Sequence, residues 1–265
     1  MKDGFKYDQR RALLFLDEWR KYGFVAGFTT RKNGFSQPPY DELNLGWHVP
    51  DHKADVQKNR EKVADLLEHD LSEWRCIQQV HGDRIIDLTK ENAQKAIHHE
   101  PEFEADGIFS KEPDDFLVTY YADCVPLYVI DPNTGYFGMA HAGWKGTVKG
   151  IGKKLVDQFL QKGSQLEDLH IGIGPSISQK HYEVNDVVAD QIPPHHRERV
   201  LKPTTPGHYL LDLKTLNEEL FLAAGIHPDR ITKSRYCTFE NNDLFFSYRR
   251  DQGKTGRMAA FIGVL

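Results

Sequence analysis

Three short segments of this 265-residue chain each carry a side chain able to bind a metal or attack a carbon centre, placed where an apolar run ends. They are Gln78-Gln79-Val80-His81-Gly82, Ala122-Asp123-Cys124-Val125-Pro126 and Ala140-His141-Ala142-Gly143-Trp144. Glycine or proline beside each lets the backbone turn sharply and admits a ligand close to the main chain. His81, Cys124 and His141 stand 43 and 17 positions apart, too far for a zinc-finger knuckle, so the tertiary fold must assemble any shared site. Two imidazoles and a thiolate suit Zn2+, and three protein ligands leave a fourth tetrahedral position for water or substrate. Taken singly, each residue has a plainer reading. Most of the 13 histidines are expected to be solvated or hydrogen-bonded, and a cysteine between apolar runs is commonly a small core hydrophobe. The shared strand-to-turn setting is what groups the three.

The run from His141 to Thr147 also offers glycines, Lys145 and Thr147 just before a helical pattern, where free backbone N–H groups and the helix dipole can receive an anion such as phosphate. The alternative is that Gly143 and Gly146 shape the turn and Thr147 caps the helix; the run is not a Walker A loop. Arg31, Arg249 and Arg250 are further anion contacts to consider, although loop arginines are usually solvated. Gly172-Ile173-Gly174-Pro175 lacks the spacing of a nucleotide loop and reads as a turn. The pairs His98-His99, in the acidic segment 91–104 read as exposed helix and loop, and His195-His196 read as surface. Cys76 and Cys237 read as core thiols, with Cys237 a minor candidate for substrate contact.

The elements that must position these residues follow from periodicity. Residues 24–30, 74–80, 84–88, 116–122, 125–130, 136–140, 169–173, 244–247 and 258–264 read as strands. Residues 55–69 form an amphipathic helix with Asp55 at its start; a second runs from Thr147 through Phe159 to a stop at Gly163; a third covers 212–224 and ends at Gly225. Strands outnumber helices and do not alternate strictly with them, so the expected class is α+β with a mixed sheet and helices on the outer faces.

With no repeat, low-complexity tract or linker, 265 residues read as one domain, residues 1–265. The hydrophobic fraction of 39% and charged fraction of 28%, with 15 Phe and 11 Tyr, are enough for a large core. A net charge of −5 without a concentrated basic surface argues against nucleic acid as partner. The apolar run 13–16 is too short and too flanked by charge for a signal peptide, no run approaches a membrane span, and three unpaired cysteines suit a reducing compartment, so the expected location is cytoplasmic with no membrane partner.

Six motifs in order, Phe28-Thr29-Thr30-Arg31, Gln79-Val80-His81-Gly82, Ala122-Asp123-Cys124-Val125-Pro126, His141-Ala142-Gly143-Trp144, Gly172-Ile173-Gly174-Pro175 and Phe246-Ser247-Tyr248-Arg249-Arg250, resemble those of the laccase-domain family, also called multicopper polyphenol oxidase-like or YfiH/YlmD-like. The resemblance spans nearly the whole chain. It implies an α/β/β/α layered sandwich with mixed sheets and a Zn2+ held by His81, Cys124 and His141, which would also be the catalytic residues, with Cu2+ as the alternative ion. It further implies phosphorolysis of adenosine, inosine and S-methyl-5'-thioadenosine, and deamination of adenosine, with purine nucleosides and phosphate as partners. The oxidase name fits less well, because a trinuclear copper centre needs more histidines and no His-x-His pair occurs. A three-ligand zinc can activate water for attack at the purine C6, whereas phosphorolysis needs phosphate held against C1′. Arg31, Asn44, Lys145, Thr147 and Arg249 are the candidate substrate or phosphate contacts. Two rival readings stand beside this one: editing of peptidoglycan precursors by amide cleavage with metal-free Cys124 as nucleophile, which the resemblance also implies, and a non-catalytic metal-binding or interaction protein.

Overall fold

A strand such as Val125–Ile130, with all six residues buried, needs cover on both faces, and that requirement sets the architecture. The computed structural model describes residues 4–8, 12–89 and 91–265. Neighbour to neighbour, the first sheet runs Phe5–Tyr7, Leu13–Leu16, Phe24–Thr29, Met258–Val264, Phe116–Tyr121 and Trp74–Arg75, antiparallel except for the last pair. The second runs Ile231–Lys233, His170–Ile173, Val125–Ile130, Phe137–Ala142, Gly107–Ser110 and Ile85–Asp87, parallel at both ends and antiparallel between. A small antiparallel sheet of Glu183–Asn185, His208–Leu211 and Leu201–Pro203 lies apart from these.

Period-two alternation divides the apolar residues among three layers of core. Leu14, Ala26 and Phe28 of the first sheet meet Tyr128, Ile130 and Met139 of the second. Their neighbours Leu13, Val25 and Val118 face the other way and pack under Val63 and Leu67 of the helix Lys53–Leu67. Val125, Leu127 and Val129 face outward from the second sheet onto the helices Ile151–Gln161 and Leu213–Ala223. The result is the α+β class in an α/β/β/α sandwich of mixed sheets, as expected. The Tyr128 hydroxyl crosses the inter-sheet layer and donates to the Gly27 carbonyl at 2.8 Å, which keeps a buried polar group satisfied. A Cβ at Gly27 would stand 2.1 Å from the Leu14 carbonyl, so the approach of these strands requires glycine.

Several expectations need correction. Residues 244–247 form no strand: Leu244 closes a turn in which the Leu244 and Phe245 N–H groups donate to the Asn241 carbonyl, and 245–247 continue without regular structure. The strand expected over 74–80 ends at Arg75, after which the chain leaves the sheet. Asp55 lies in the first turn of the helix Lys53–Leu67, which begins two residues earlier without a side-chain cap. The helix expected from Thr147 is broken into Trp144–Val148 and Ile151–Gln161 by Gly150 at φ 75°. Within 91–104 only Ala93–Ala96 is helical, a single 3-10 turn with Ala93 and Ala96 buried. Part of the N-terminal stretch, residues 1–3 and 9–11, lies outside the described residues. Among the described residues no helix is long and apolar enough to cross a membrane.

Asp212 does cap its helix, accepting from the Thr215 N–H at 2.9 Å. Asp212→Ala is therefore expected to lower unfolding free energy by about 1 kcal/mol, and Asp55→Ala by about 0.5 kcal/mol or less, as read from urea denaturation of the two variants.

Candidate functional site

The chain passes from the first sheet to the second between Phe116–Tyr121 and Val125–Ile130, and Cys124 lies in that crossover. His141 sits beside it on Phe137–Ala142, opposite Pro126, because this strand runs past the end expected from the sequence. His81 arrives from the far edge of the first sheet. The Gln79 side-chain amide pins that segment to Tyr120, accepting from its N–H at 2.7 Å and donating to its carbonyl at 2.8 Å. One ligand-capable atom from each of His81, Cys124 and His141 lies within 4.8 Å of the other two, close enough for one ion to meet all three. His81 and His141 meet edge to face, ring centroids 4.8 Å apart.

Asp106, just before the strand Gly107–Ser110, organises this arrangement and is fully buried. Its carboxylate accepts the backbone N–H groups of Val80 at 3.2 Å, His81 at 3.0 Å and Gly82 at 2.5 Å. It also meets His141 Nδ1 at 2.7 Å. Three N–H groups converging on one carboxylate hold His81 in the left-handed region, at φ 59°, which is uncommon for a non-glycine residue. With Nδ1–H donated to Asp106, His141 presents Nε2 to Cys124 and to any bound ion. Gly143 must lack a side chain, since a Cβ would stand 3.0 Å from Cys124 Sγ and 3.3 Å from the His81 ring.

Burial opposes charge at each group, yet the cluster overcomes it. Burial raises the Cys124 thiol, but the neighbouring His141 charge and hydrogen bonds from both imidazoles bring it net below the usual range. Burial lowers His141, but the Cys124 charge and the bond to Asp106 leave it net above its ordinary value. Asp106 is likewise lowered despite burial, by His141 and the backbone donors. The donors thus suit a metal in type and spacing: a readily formed thiolate, and an imidazole whose Nδ1 proton is held by Asp106 so that an ion would take the place of the proton on Nε2.

The three residues face a cleft of about 1060 Å3. Of the anion candidates, only Arg249 lines it. Arg31 instead binds the Asp41 carbonyl at 2.7 Å and carboxylate at 3.1 Å and stacks on Phe246, tying two loops together. Asn44 is buried behind the wall, donating to Asp51 and accepting from the backbone N–H of Gly46 and Arg257. Lys145 is exposed away from the lining, and Thr147 is buried, accepting from Asn217. His98 and His99 line the cleft instead of lying on the open surface, and His196 is buried against Glu219 at 2.7 Å. Cys76 and Cys237 are core thiols, as expected. Sequence reasoning passed over Asp106, at the end of an acidic stretch, and Arg60 and Arg257. The one available signal for Arg60 was a charge on the apolar face of an amphipathic helix.

The chain matches the family described as multi-copper polyphenol oxidoreductase laccase over residues 25–265. It is 44% identical to the purine nucleoside phosphorylase YlmD of Bacillus subtilis across 95% of this chain and 94% of that protein. The crystal structure of the hypothetical protein YfiH of Bacillus licheniformis superposes with a TM-score of 0.94 at 41% identity, covering 100% of both chains. YlmD of Geobacillus stearothermophilus superposes at 0.93 and 38% identity, over 99% of each. By its sequence over nearly all its length, and by the sandwich that carries the His81, Cys124 and His141 cluster, the chain belongs to the multi-copper polyphenol oxidoreductase laccase family.

Proposed function

We propose that this protein is a zinc-dependent purine nucleoside phosphorylase that takes adenosine, inosine and S-methyl-5'-thioadenosine and also deaminates adenosine. The observation that carries this reading is the three-donor cluster facing a cleft large enough for a nucleoside, in a chain similar to proteins named purine nucleoside phosphorylase. His81, Cys124 and His141 would hold the ion, which when bound supplies Lewis acidity and lowers the pKa of water. Asp106 holds the His141 Nδ1 proton, so that Nε2 is the nitrogen an ion would take, and the Gln79–Tyr120 pairing keeps His81 in place. The buried Tyr121 ring packs edge-on to His141 at 5.4 Å and excludes water from behind it. Deamination exchanges the C6 amino group of adenosine for the oxygen of water and releases ammonia. Phosphorolysis breaks the C1′–N9 bond, forms a C1′–O bond to phosphate and returns the base, so the cleft must also hold an anion.

A second reading rests on a specific geometry. Without an ion, Cys124, His141 and Asp106 form a thiol–imidazole–carboxylate relay, the arrangement of a nucleophile with its base and orienting acid. That supports amide cleavage of a peptidoglycan precursor by Cys124.

Elemental analysis is expected to give about one zinc per chain, falling to background in Cys124→Ala without loss of the folded far-ultraviolet spectrum. The same variant should lose at least about 100-fold in release of adenine from adenosine with phosphate present. A zinc-free, fully active wild type would move the assignment to the thiol reading. Iodoacetamide separates the two further: zinc-loaded protein should resist it, whereas a free nucleophile is alkylated with loss of activity. Asp106→Asn, which removes the charge that orients His141, is expected to weaken zinc binding about 10–100-fold in a competition titration with a chromogenic chelator. Unchanged affinity would show that Asp106 serves the backbone alone.

A further inference from the structure

A cation buried in a protein normally lies beside a carboxylate, because removing it from water costs more than neutral hydrogen bonds return. Arg60 departs from this. It is 1% exposed, on the helix Lys53–Leu67, and forms no ion pair among the described residues. Its Nε and Nη2 donate to the Leu45 carbonyl at 3.0 and 2.7 Å, and Nη1 donates to the His98 carbonyl. The guanidinium is sandwiched between the rings of Trp47, at 5.4 Å, and Tyr120, at 4.7 Å.

Arg257, on the same cleft wall, likewise forms no ion pair among the described residues. Its Nη1 donates to the Thr255 and Gly256 carbonyls at 2.8 and 3.0 Å, and neither Nε nor Nη2 has a protein acceptor among the described residues. Its backbone N–H is fixed by Asn44 Oδ1 at 2.8 Å. Arg257 lies within electrostatic reach of His48 on one side and of Asp123 and Cys124 on the other. His48, an exposed residue on the lining, is driven toward the neutral form by partial desolvation of its ring and then by Arg257, Arg60 and Lys53. Of the carboxylates on the lining, Asp123 lies close enough to act on Arg257 through its charge but forms no ion pair with it. Asp123 is taken by the Thr238 hydroxyl and the Arg249 N–H, and Glu100 and Glu102 form no ion pair with either arginine.

We propose that Arg257, with Arg60 behind it and His48 at its rim, forms a phosphate subsite in the same cleft as the His81, Cys124 and His141 cluster. The inference rests on the phosphorylase reading for its role and names where inorganic phosphate, the nucleophile of that reaction, enters. Arg257 supplies two unclaimed donors on one guanidinium, the fork geometry that suits a tetrahedral oxyanion. Arg60 adds fixed charge with its own donors already engaged, and neutral His48 can donate from either ring nitrogen. A phosphoryl group carried by a 5′-nucleotide has the same chemistry, so the test must separate the two.

Isothermal titration calorimetry of the zinc-loaded protein with inorganic phosphate, and separately with adenosine and adenosine 5′-monophosphate, makes that separation. Phosphate affinity is expected to fall roughly 10–100-fold in Arg257→Gln, to recover in part in Arg257→Lys and to be unchanged in Lys145→Gln, with adenosine binding unaffected throughout. Adenosine 5′-monophosphate should bind no tighter than adenosine. His48→Gln, at the rim, provides a second variant with a smaller loss should Arg257→Gln fail to fold. The proposal is overturned if wild type binds no phosphate at millimolar concentration, if both cleft variants bind it as wild type does, or if Lys145→Gln is the variant that loses it. It is also overturned if only the nucleotide binds and its advantage over adenosine disappears in Arg257→Gln. Phosphate binding that depends on Arg257 in a protein that cleaves no nucleoside would retain the subsite and reject the phosphorylase reading.

Discussion

A single buried carboxylate governs the candidate site. Asp106 is removed from water entirely, and four N–H groups meet the cost: three consecutive backbone donors from the turn 80–82 and one ring nitrogen of His141. Each bond has a consequence at a different residue. The backbone donors hold His81 in its left-handed conformation and aim its ring; the ring donor selects the tautomer of His141; the imidazole so held favours the thiolate of Cys124. An asparagine of the same shape offers one acceptor oxygen instead of two and no charge, so it cannot perform all four tasks.

Charge is distributed along the cleft in a way that fits a reaction between a neutral nucleoside and an anion. His81, Cys124 and His141 supply soft and nitrogen donors suited to a metal, while Arg60 and Arg257 on the same lining form no ion pair among the described residues, and Arg257 lies within electrostatic reach of both Cys124 and His48. The aromatic faces of Trp47 and Tyr120 make burial of the Arg60 cation tolerable, because they attract the guanidinium without neutralising it. A carboxylate in that position would have stabilised Arg60 more simply and closed the cleft to anions.

His81, Cys124 and His141 were legible in the sequence because each follows an apolar run and borders a glycine or proline, a local signature that survives without knowledge of the fold. The layers were legible for a related reason: runs such as Val125–Ile130 are apolar on both pleat faces and admit no solvent-facing side. Asp106 was not legible, since nothing in Glu104-Ala105-Asp106-Gly107 distinguishes it from the surface acids before it; its role exists only once His81 and His141 have been brought to either side. Arg31 and Asn44 erred in the opposite direction. Both sit in loops with the polar character of a binding site, but their side chains join one loop to the next, and Asn44 acts on the cleft only through the backbone of Arg257. Residues 244–247 misled because an apolar run with aromatic residues looks the same whether it pairs in a sheet or plugs a core, and Phe245 and Phe246 do the latter.

The position of Cys124 in the crossover between the two large sheets has a mechanical consequence. Its sulfur is anchored where one sheet hands the chain to the other, His141 belongs to the second sheet, and His81 is tied to the first through Gln79 and Tyr120. An ion gripping all three would act as a rivet through the two slabs, so any sideways slip between them would strain the coordination before it disturbed the hydrophobic layer. The metal would then gauge how faithfully the halves of the sandwich keep their alignment.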